Sequence, residues 1–178
     1  DVRAEALTDG LTNIPNRKAF DMNLRQEAMN AMESGEDLCL LLCDIDHFKK
    51  FNDTFGHHTG DQVLKLAGMI LTQNVKGRDT AARYGGEEFA IILPNTKIKA
   101  AKVLANKVRE AVASKRIRKK STGEDFGAIT MSIGVAKFRG GESLSELIQR
   151  SDKGLYQAKD SGRNCVVTED ELKESAES

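Results

Sequence analysis

No apolar run in this chain approaches the ~20 residues that a membrane-spanning helix requires, and no charged-then-apolar signal segment opens it. A domain resident in the cytoplasm is expected. Charge of one sign is missing too, because 27 basic residues offset 27 acidic ones, so no overall positive field exists to hold a nucleic-acid backbone or an anionic membrane. Neither nucleic acid nor a membrane is expected as a partner, and small-molecule chemistry is the better expectation. Cysteines are few and odd in number, three, and Cys39 and Cys43 sit inside an apolar run where they read as small buried hydrophobes in a reducing compartment. No internal repeat or low-complexity block interrupts the chain. An initiating Met is lacking as well, the sequence opening Asp1-Val2-Arg3, which predicts a fragment of a longer protein able to carry a membrane anchor of its own. What is present, 39% apolar and 30% charged residues over 178 positions, is the balance of one globular domain with a substantial core.

Periodicity supplies the elements. After the turn formers Thr12-Asn13-Ile14-Pro15-Asn16, the apolar positions Phe20, Leu24, Ala28 and Ala31 recur at helical spacing until Gly35. Leu38 to Cys43 is a continuous apolar run, suited to a central strand covered on both faces, with Asp44 at its C-terminal end. Asp61 reads as the N-cap of a second helix carrying Val63, Ala67, Ile70 and Leu71. Thr80 to Tyr84 and Phe89 to Leu93 flank Gly85-Gly86 as a hairpin, and Pro94 ends its second strand. Ile98, Ala101, Ala105, Val108 and Val112 make a third helix, and Ile129, Met131, Ile133 and Val135 alternate as a strand. A last helix runs from about Ser143 to Gly162 and hands over to the short strand Cys165-Val166-Val167. Lys115 to Gly127 is polar and basic and reads as a solvated loop. Residues 1–167 form the expected domain, and the acidic tail 168–178 is expected to fray.

The order strand, helix, strand, strand, helix, strand predicts an α+β fold with a ferredoxin-like βαββαβ core, a palm-like arrangement, with extra helices and a short C-terminal strand. A helical crossover makes the first two strands parallel, so both finish at one edge of the sheet, where the hairpin tip also lies. Asp44 then shares a rim with Glu87 and Glu88. Carboxylates crowded at a strand edge repel one another unless a cation sits among them, and hard oxygen ligands favour Mg²⁺ or Mn²⁺. Two such ions per site suit phosphoryl or nucleotidyl transfer. The plainer alternative is that Glu87 and Glu88 decorate an exposed hairpin, but Gly85-Gly86 allows close approach at the same point.

Arg83-Tyr84-Gly85-Gly86-Glu87-Glu88-Phe89 resembles the signature of the GGDEF family of diguanylate cyclases in its Glu-Glu form. Asp9-Gly10-Leu11-Thr12 through Arg17 is similar to that family's opening motif, and Asp44-Ile45-Asp46-His47-Phe48-Lys49-Lys50-Phe51-Asn52-Asp53 to its metal-and-substrate segment. Phe55-Gly56-His57 with Gly60-Asp61, Ser132-Ile133-Gly134-Val135, and Tyr156 through Asn164 complete the series in order, over roughly residues 9 to 167. An ordered series is far more specific than any one member.

The resemblance implies an enzyme that joins two GTP into cyclic di-GMP, releasing two pyrophosphates, and working as a homodimer because one site holds one GTP. It implies that Asp44, the carbonyl of Ile45 and Glu87 bind metal. Either Glu87 or Glu88 serves as base, since a metal-bound carboxylate is a poor free base, and Asp46 has the ordinary reading of a structural carboxylate. Asn52 and Asp61 match the guanine-reading positions, His57 a further substrate contact, and Asp61 keeps its alternative as a helix cap. The segment His47-Phe48-Lys49 presents backbone N–H groups to phosphate, and Lys49 adds charge to the transition state. Lys159 and Arg163, four apart on the last helix, grip the terminal phosphates or merely complement the helix dipole. Arg83 is a further phosphate neutraliser. The family's product-inhibition motif, Arg-x-x-Asp, stands here as Lys76-Gly77-Arg78-Asp79, which implies a weaker hold on product unless Arg78 substitutes from a strand-like backbone. Competing readings are a non-catalytic domain sensing GTP or cyclic di-GMP, and a palm-like nucleotidyl transferase of other base preference.

Overall fold

The computed structural model describes residues 6–119 and 121–172. Helix α1 (Arg17–Ser34) starts where the Asn16 side chain accepts the Ala19 amide at 3.0 Å, and it ends at Gly35 in a left-handed conformation. Strand β1 (Leu38–Ile45) is buried along its whole length. Two helices follow, α2 (Phe48–Phe55) and α3 (His57–Asn74), and then the hairpin of β2 (Thr80–Arg83) and β3 (Glu88–Pro94). Helix α4 (Ile98–Ala113), strands β4 (Arg116–Arg118), β5 (Asp125–Ala128) and β6 (Met131–Lys137), helix α5 (Leu144–Asp160) and strand β7 (Val166–Thr168) complete the chain.

The main sheet has the order β2-β3-β1-β6-β7. Its first four strands are the ferredoxin-like core, with β1 antiparallel to both β3 and β6, and β7 adds a parallel edge. Strands β1 and β2 point the same way, as their crossover requires, although β3 lies between them. Alternation along β1 separates two apolar layers. Cys39, Leu41 and Cys43 meet Val63, Ala67, Leu71, Ala105 and Val108 from α3 and α4, while Leu38, Leu40 and Leu42 meet Phe20, Leu24, Leu147 and Leu155 from α1 and α5. Each fully buried Leu contributes about 1.5–3 kcal/mol, so this strand is the spine that fixes where its C-terminal end lies.

Four expectations change. Lys115 to Gly127 is not a plain loop: β4 and β5 pair antiparallel, and Phe126 stacks on Phe55 of α2 with centroids 4.5 Å apart. Asp61 is not an N-cap, because Gly56 closes α2 and opens α3 directly, its amide donating to Asn52 O at 2.7 Å and its carbonyl accepting from Gly60. Helix α5 ends at Asp160, short of Gly162. The acidic stretch from Thr168 begins in order: Thr168 is buried and caps the 3₁₀ turn Glu169–Glu171, with Glu171 accepting its amide at 3.1 Å. Residues 173–178 of that stretch lie outside the described residues. Among the described residues no helix is long and apolar enough to cross a membrane.

Candidate active site

Asp44 is the last even-numbered position of β1 within the ladder, facing α5. In register it stands opposite Glu88 of β3 on one side and Ser132 of β6 on the other, and the Ile45 amide donates to Glu87 O at 3.2 Å. The rim predicted from connectivity is therefore assembled by two ladders. Asp44 is buried, its Oδ2 is paired with Lys159 Nζ, and its Oδ1 is buried with no hydrogen-bond partner among the described residues. Burial pushes its pKa up against the opposing pull of Lys159, and the charges of Glu87 and Asp46 push the same way as burial. Glu88 is raised likewise, by burial first and then by the charge of Asp44.

Asp46, two residues on, is spoken for. It accepts from Thr130 Oγ1 at 2.7 Å, Ser132 Oγ at 2.6 Å and the Asn164 amide at 3.0 Å. A carboxylate with three local donors anchors β6 and the turn after α5 to β1, which is the structural role expected of it. Sequence reasoning gave Thr130 and Asn164 no such part: Asn164 closed a quoted motif without a role of its own, and Thr130 stood two residues before another.

The hairpin tip is held from behind. Arg83 Nη1 lies 3.2 Å from both carboxylate oxygens of Asp9, Nη2 donates to Gly86 O at 2.8 Å, and Nε lies 3.2 Å from Gly85 O and Gly86 O. Asp9 also accepts the Thr12 amide and hydroxyl. Burial pushes the Asp9 carboxyl up, but these bonds and the Arg83 charge outweigh it and hold it below its ordinary value. The guanidinium expected to neutralise phosphate is thus engaged in fixing the turn that carries Glu87.

Between β1 and α2 the chain turns through His47, whose φ of 56° leaves the first amides of α2 without a side-chain cap. Phe48 is buried and Lys49 exposed. One turn along, the Asn52 side chain lies over the backbone of Gly60: a Cβ there would fall 1.7 Å from Asn52 Oδ1, so only glycine admits this contact. That Oδ1 is buried and unpartnered. Asp61 and His57 are exposed on the first turns of α3, and the Asp61 carboxylate, freed from capping, makes no hydrogen bond among the described residues.

Helix α5 is seated on the sheet by another close approach. A Cβ on Gly134 would fall 2.0 Å from Ser151 O and 2.2 Å from Leu155 N, and the Ser151 hydroxyl donates to Gly134 O at 2.9 Å. Lys159 follows Leu155 by one turn and reaches Asp44. Arg163 does not share its helical face: it lies beyond the helix end with φ 65°, between Gly162 and Asn164 of positive φ. Lys159 and Arg163 nonetheless line one cavity of about 180 Å³ with Asp44, Ile45, Asp46, His47, Phe48, Lys49 and Glu87. A larger cavity, about 620 Å³, opens at the other end of the sheet beside Met32, Asp37 and Phe138.

Lys76 to Asp79 forms a turn, not a strand: the Asp79 amide donates to Lys76 O at 3.1 Å, and Gly77 has φ 60°. Arg78 points to α1, pairing with Glu27 at 2.7 Å and Glu36 at 3.7 Å. Asp79 is half-buried, and burial raises its pKa against the Lys76 amide.

The donor set fits a hard divalent cation. Asp44 offers a buried, unpartnered oxygen beside Glu87 and the Ile45 backbone. Among the described residues no three His, Cys, Asp or Glu side chains gather as a ready-made metal cluster. A palm-like sheet with acidic oxygens at one rim and lysine, arginine and helix amides around it is the arrangement that nucleotide-transferring enzymes require.

Comparison with known proteins agrees. The family model described as diguanylate cyclase, GGDEF domain, matches residues 6–165. Diguanylate cyclase DgcP of Pseudomonas aeruginosa is 43% identical over 92% of this chain and 24% of its own length, and the response regulator PleD of Caulobacter vibrioides is 42% identical over 91% of this chain and 36% of its own. The GGDEF domain of DgcB from Caulobacter crescentus, solved in complex with c-di-GMP, superposes with a TM-score of 0.90 at 45% identity, covering 92% of this chain and 93% of that one. The active GGEEF domain of a diguanylate cyclase from Vibrio cholerae gives 0.80 at 31% identity, covering 90% and 98%. The chain belongs to the diguanylate cyclase GGDEF-domain family. It spans between a quarter and a half of the length of the first curated relatives, 24% and 48% for two of them.

Proposed function

We propose that this domain condenses two GTP molecules into cyclic di-GMP, the 3′-hydroxyl of each attacking the α-phosphorus of the other with release of two pyrophosphates. The observation that carries the reading is the shared cavity: Asp44 with its unpartnered oxygen, Glu87, Lys159, Arg163 and the uncapped start of α2 all line it. Magnesium or manganese, two ions per site, held by Asp44, the Ile45 carbonyl and Glu87, would polarise the phosphate and lower the pKa of the attacking hydroxyl. The amides of Phe48 and Lys49 and the Lys49 ammonium meet phosphate oxygens, and Lys159 and Arg163 take the terminal phosphates. Glu87 or Glu88 accepts the hydroxyl proton, Glu88 being pre-set for that task by its raised pKa. Asn52 and Asp61 read guanine, whose N1–H and N2–H suit a carboxylate, with His57 beside them. One cavity accommodates one triphosphate, so two domains must face each other in a homodimer, in the cytoplasm where GTP is found.

Product identification after incubation with GTP and, separately, ATP tests this. Cyclic di-GMP from GTP alone is expected, with specific activity rising with protein concentration; no product from GTP, or a flat profile in a monomeric sample, sinks the reading. Asp61→Ala should narrow the preference for GTP over ATP about tenfold. Product feedback through Lys76 and Asp79 is expected to be weak, because Lys76 is a point charge without the planar fork of arginine and Arg78 is held by Glu27. Lys76→Arg should lower the inhibition constant for cyclic di-GMP, and an unchanged constant removes Lys76 from the site.

A further inference from the structure

Lys159 stands in a place that phosphate binding alone does not explain. Its ammonium is on Asp44 Oδ2, a carboxylate whose side chain is 9% exposed, while Lys159 itself is 35% exposed at the solvent end of α5. Glu87 lines the same cavity, Glu88 stands opposite Asp44 across the ladder and Asp46 follows two residues on; Lys49 and Arg163 line the cavity too, but among the described residues only Lys159 is paired with Asp44. Asp46 has its own donors from Thr130, Ser132 and Asn164, whereas among the described residues Asp44 has only Lys159. A buried carboxylate must be compensated, and one ammonium does it.

We infer that Lys159 is a counter-cation of Asp44 that competes with divalent metal for it, and that it moves to phosphate only when nucleotide arrives; the inference rests on the metal and phosphate roles proposed above. A doubly charged ion at Asp44 and an ammonium on the same carboxylate repel each other across a few ångströms, so metal alone must displace Lys159 into solvent without a new partner. Triphosphate oxygens supply that partner. Metal and nucleotide are thereby coupled through one side chain beyond their affinity for each other, and the domain discriminates against metal that comes without GTP. The Lys159 stem permits the exchange, because it hangs from the last helical turn with its end at the mouth of the cavity.

The test measures Mn²⁺ binding without turnover, by counting free Mn²⁺ in wild type, Lys159→Met, Lys159→Arg and Asp44→Asn, with and without a GTP analogue whose α–β bridge is not cleavable. Lys159→Met should bind Mn²⁺ alone about tenfold more tightly than wild type yet bind the Mn²⁺–analogue complex more weakly, a reversal of sign that a merely structural lysine would not give. Lys159→Arg, which keeps the charge, should stay near wild type for Mn²⁺ alone. Equal Mn²⁺ affinity in wild type and Lys159→Met, with Asp44→Asn abolishing binding in both, overturns the competition but leaves the metal site standing. Binding that survives Asp44→Asn overturns the metal site itself, and the competition falls with it. Should Lys159→Met fail to fold, the Lys159 ammonium resonance of wild type is the readout: Mg²⁺ alone should move it to the position of a solvated lysine, and no movement overturns the inference.

Discussion

Both ends of β1 carry clustered charge, and the two clusters are built oppositely. At the end away from the cavity, Arg150 of α5 pairs with Glu142 and donates to Lys137 O, and its Nε lies 3.3 Å from Glu169 without hydrogen-bond alignment. Glu169 takes Arg139 at 2.7 Å and the Lys137 amide, and Glu142 accepts the Arg139 amide at 2.5 Å. Side-chain exposures there are 15% for Arg150 and 7% for Glu142, comparable to Asp44. Burial pushes Glu142 up, but Arg150 and Arg139 outweigh it and hold it below its ordinary value; at the catalytic rim, Asp44 and Glu88 are held above theirs. The rim carboxylates lie deeper and have fewer positive partners, so burial wins there, whereas at the far end the arginines win; the difference separates charge used to fasten the chain from charge left short of partners.

The largest expected effect breaks the rim and spares the fastening. Glu87→Gln should cut synthesis by roughly 10³-fold while thermal melting stays at the wild-type temperature, because a partly exposed rim carboxylate is removed and no core contact. Substantial turnover in the variant, by product analysis, would remove Glu87 from the site. Arg150→Met is the converse. It takes the guanidinium from Glu142, leaving that carboxylate only the Arg139 amide, while Glu169 keeps Arg139 and the Lys137 amide; it should cost about 2–3 kcal/mol, several degrees in Tm, with the folded fraction still making product at low temperature. An unchanged Tm would mean that the far network is decorative.

Third and smallest is the opposite response of the two ends to acid. Glu142, lowered in the fold, contributes stability above its ordinary value near 4.5 that is lost as pH falls through its folded value. Glu88, raised, has the reverse sign: its favourable contribution is present below about 4.5 and is lost as pH rises through the folded value. Glu88→Gln should therefore raise Tm slightly at pH 7, with the gain closing below pH 4.5. A loss of stability at pH 7 would contradict the sign.

The fold was legible where one layer of sequence pattern sufficed. The apolar run Leu38 to Cys43 of β1 and the helical spacing of Phe20, Leu24 and Ala28 depend only on burial, and they placed Asp44 and the hairpin at one rim. Local pattern failed where a distant partner decides. Between Lys115 and Gly127 the apolar anchors are Ile117 and Phe126, too few for a strand signal, and Phe126 finds its purpose only on Phe55 of α2. Asp61 carries a good capping side chain, yet the helix starts four residues earlier because Gly56 serves two helices at once. In the site, residue types announced the carboxylates and phosphate cations, whereas the Arg83–Asp9 clamp and the Arg78–Glu27 pair join residues 74 and 51 positions apart. Charge alone could not say which arginine lines the cavity and which is already paired elsewhere.

The contact of Gly134 with Ser151 and Leu155 can also be viewed mechanically. It is a pivot under α5, and Lys159 rides four residues beyond Leu155, a short arm of about 6 Å at 1.5 Å per residue. Tilting the helix by about 10° on that pivot swings the start of the Lys159 side chain roughly 1 Å, a misplacement of the size that can cost 10²-fold in rate. The hydrogen atom that serves as the side chain of Gly134 is thus a machining tolerance: the Lys159 ammonium is aimed from inside the sheet, at a point well away from the cavity it lines.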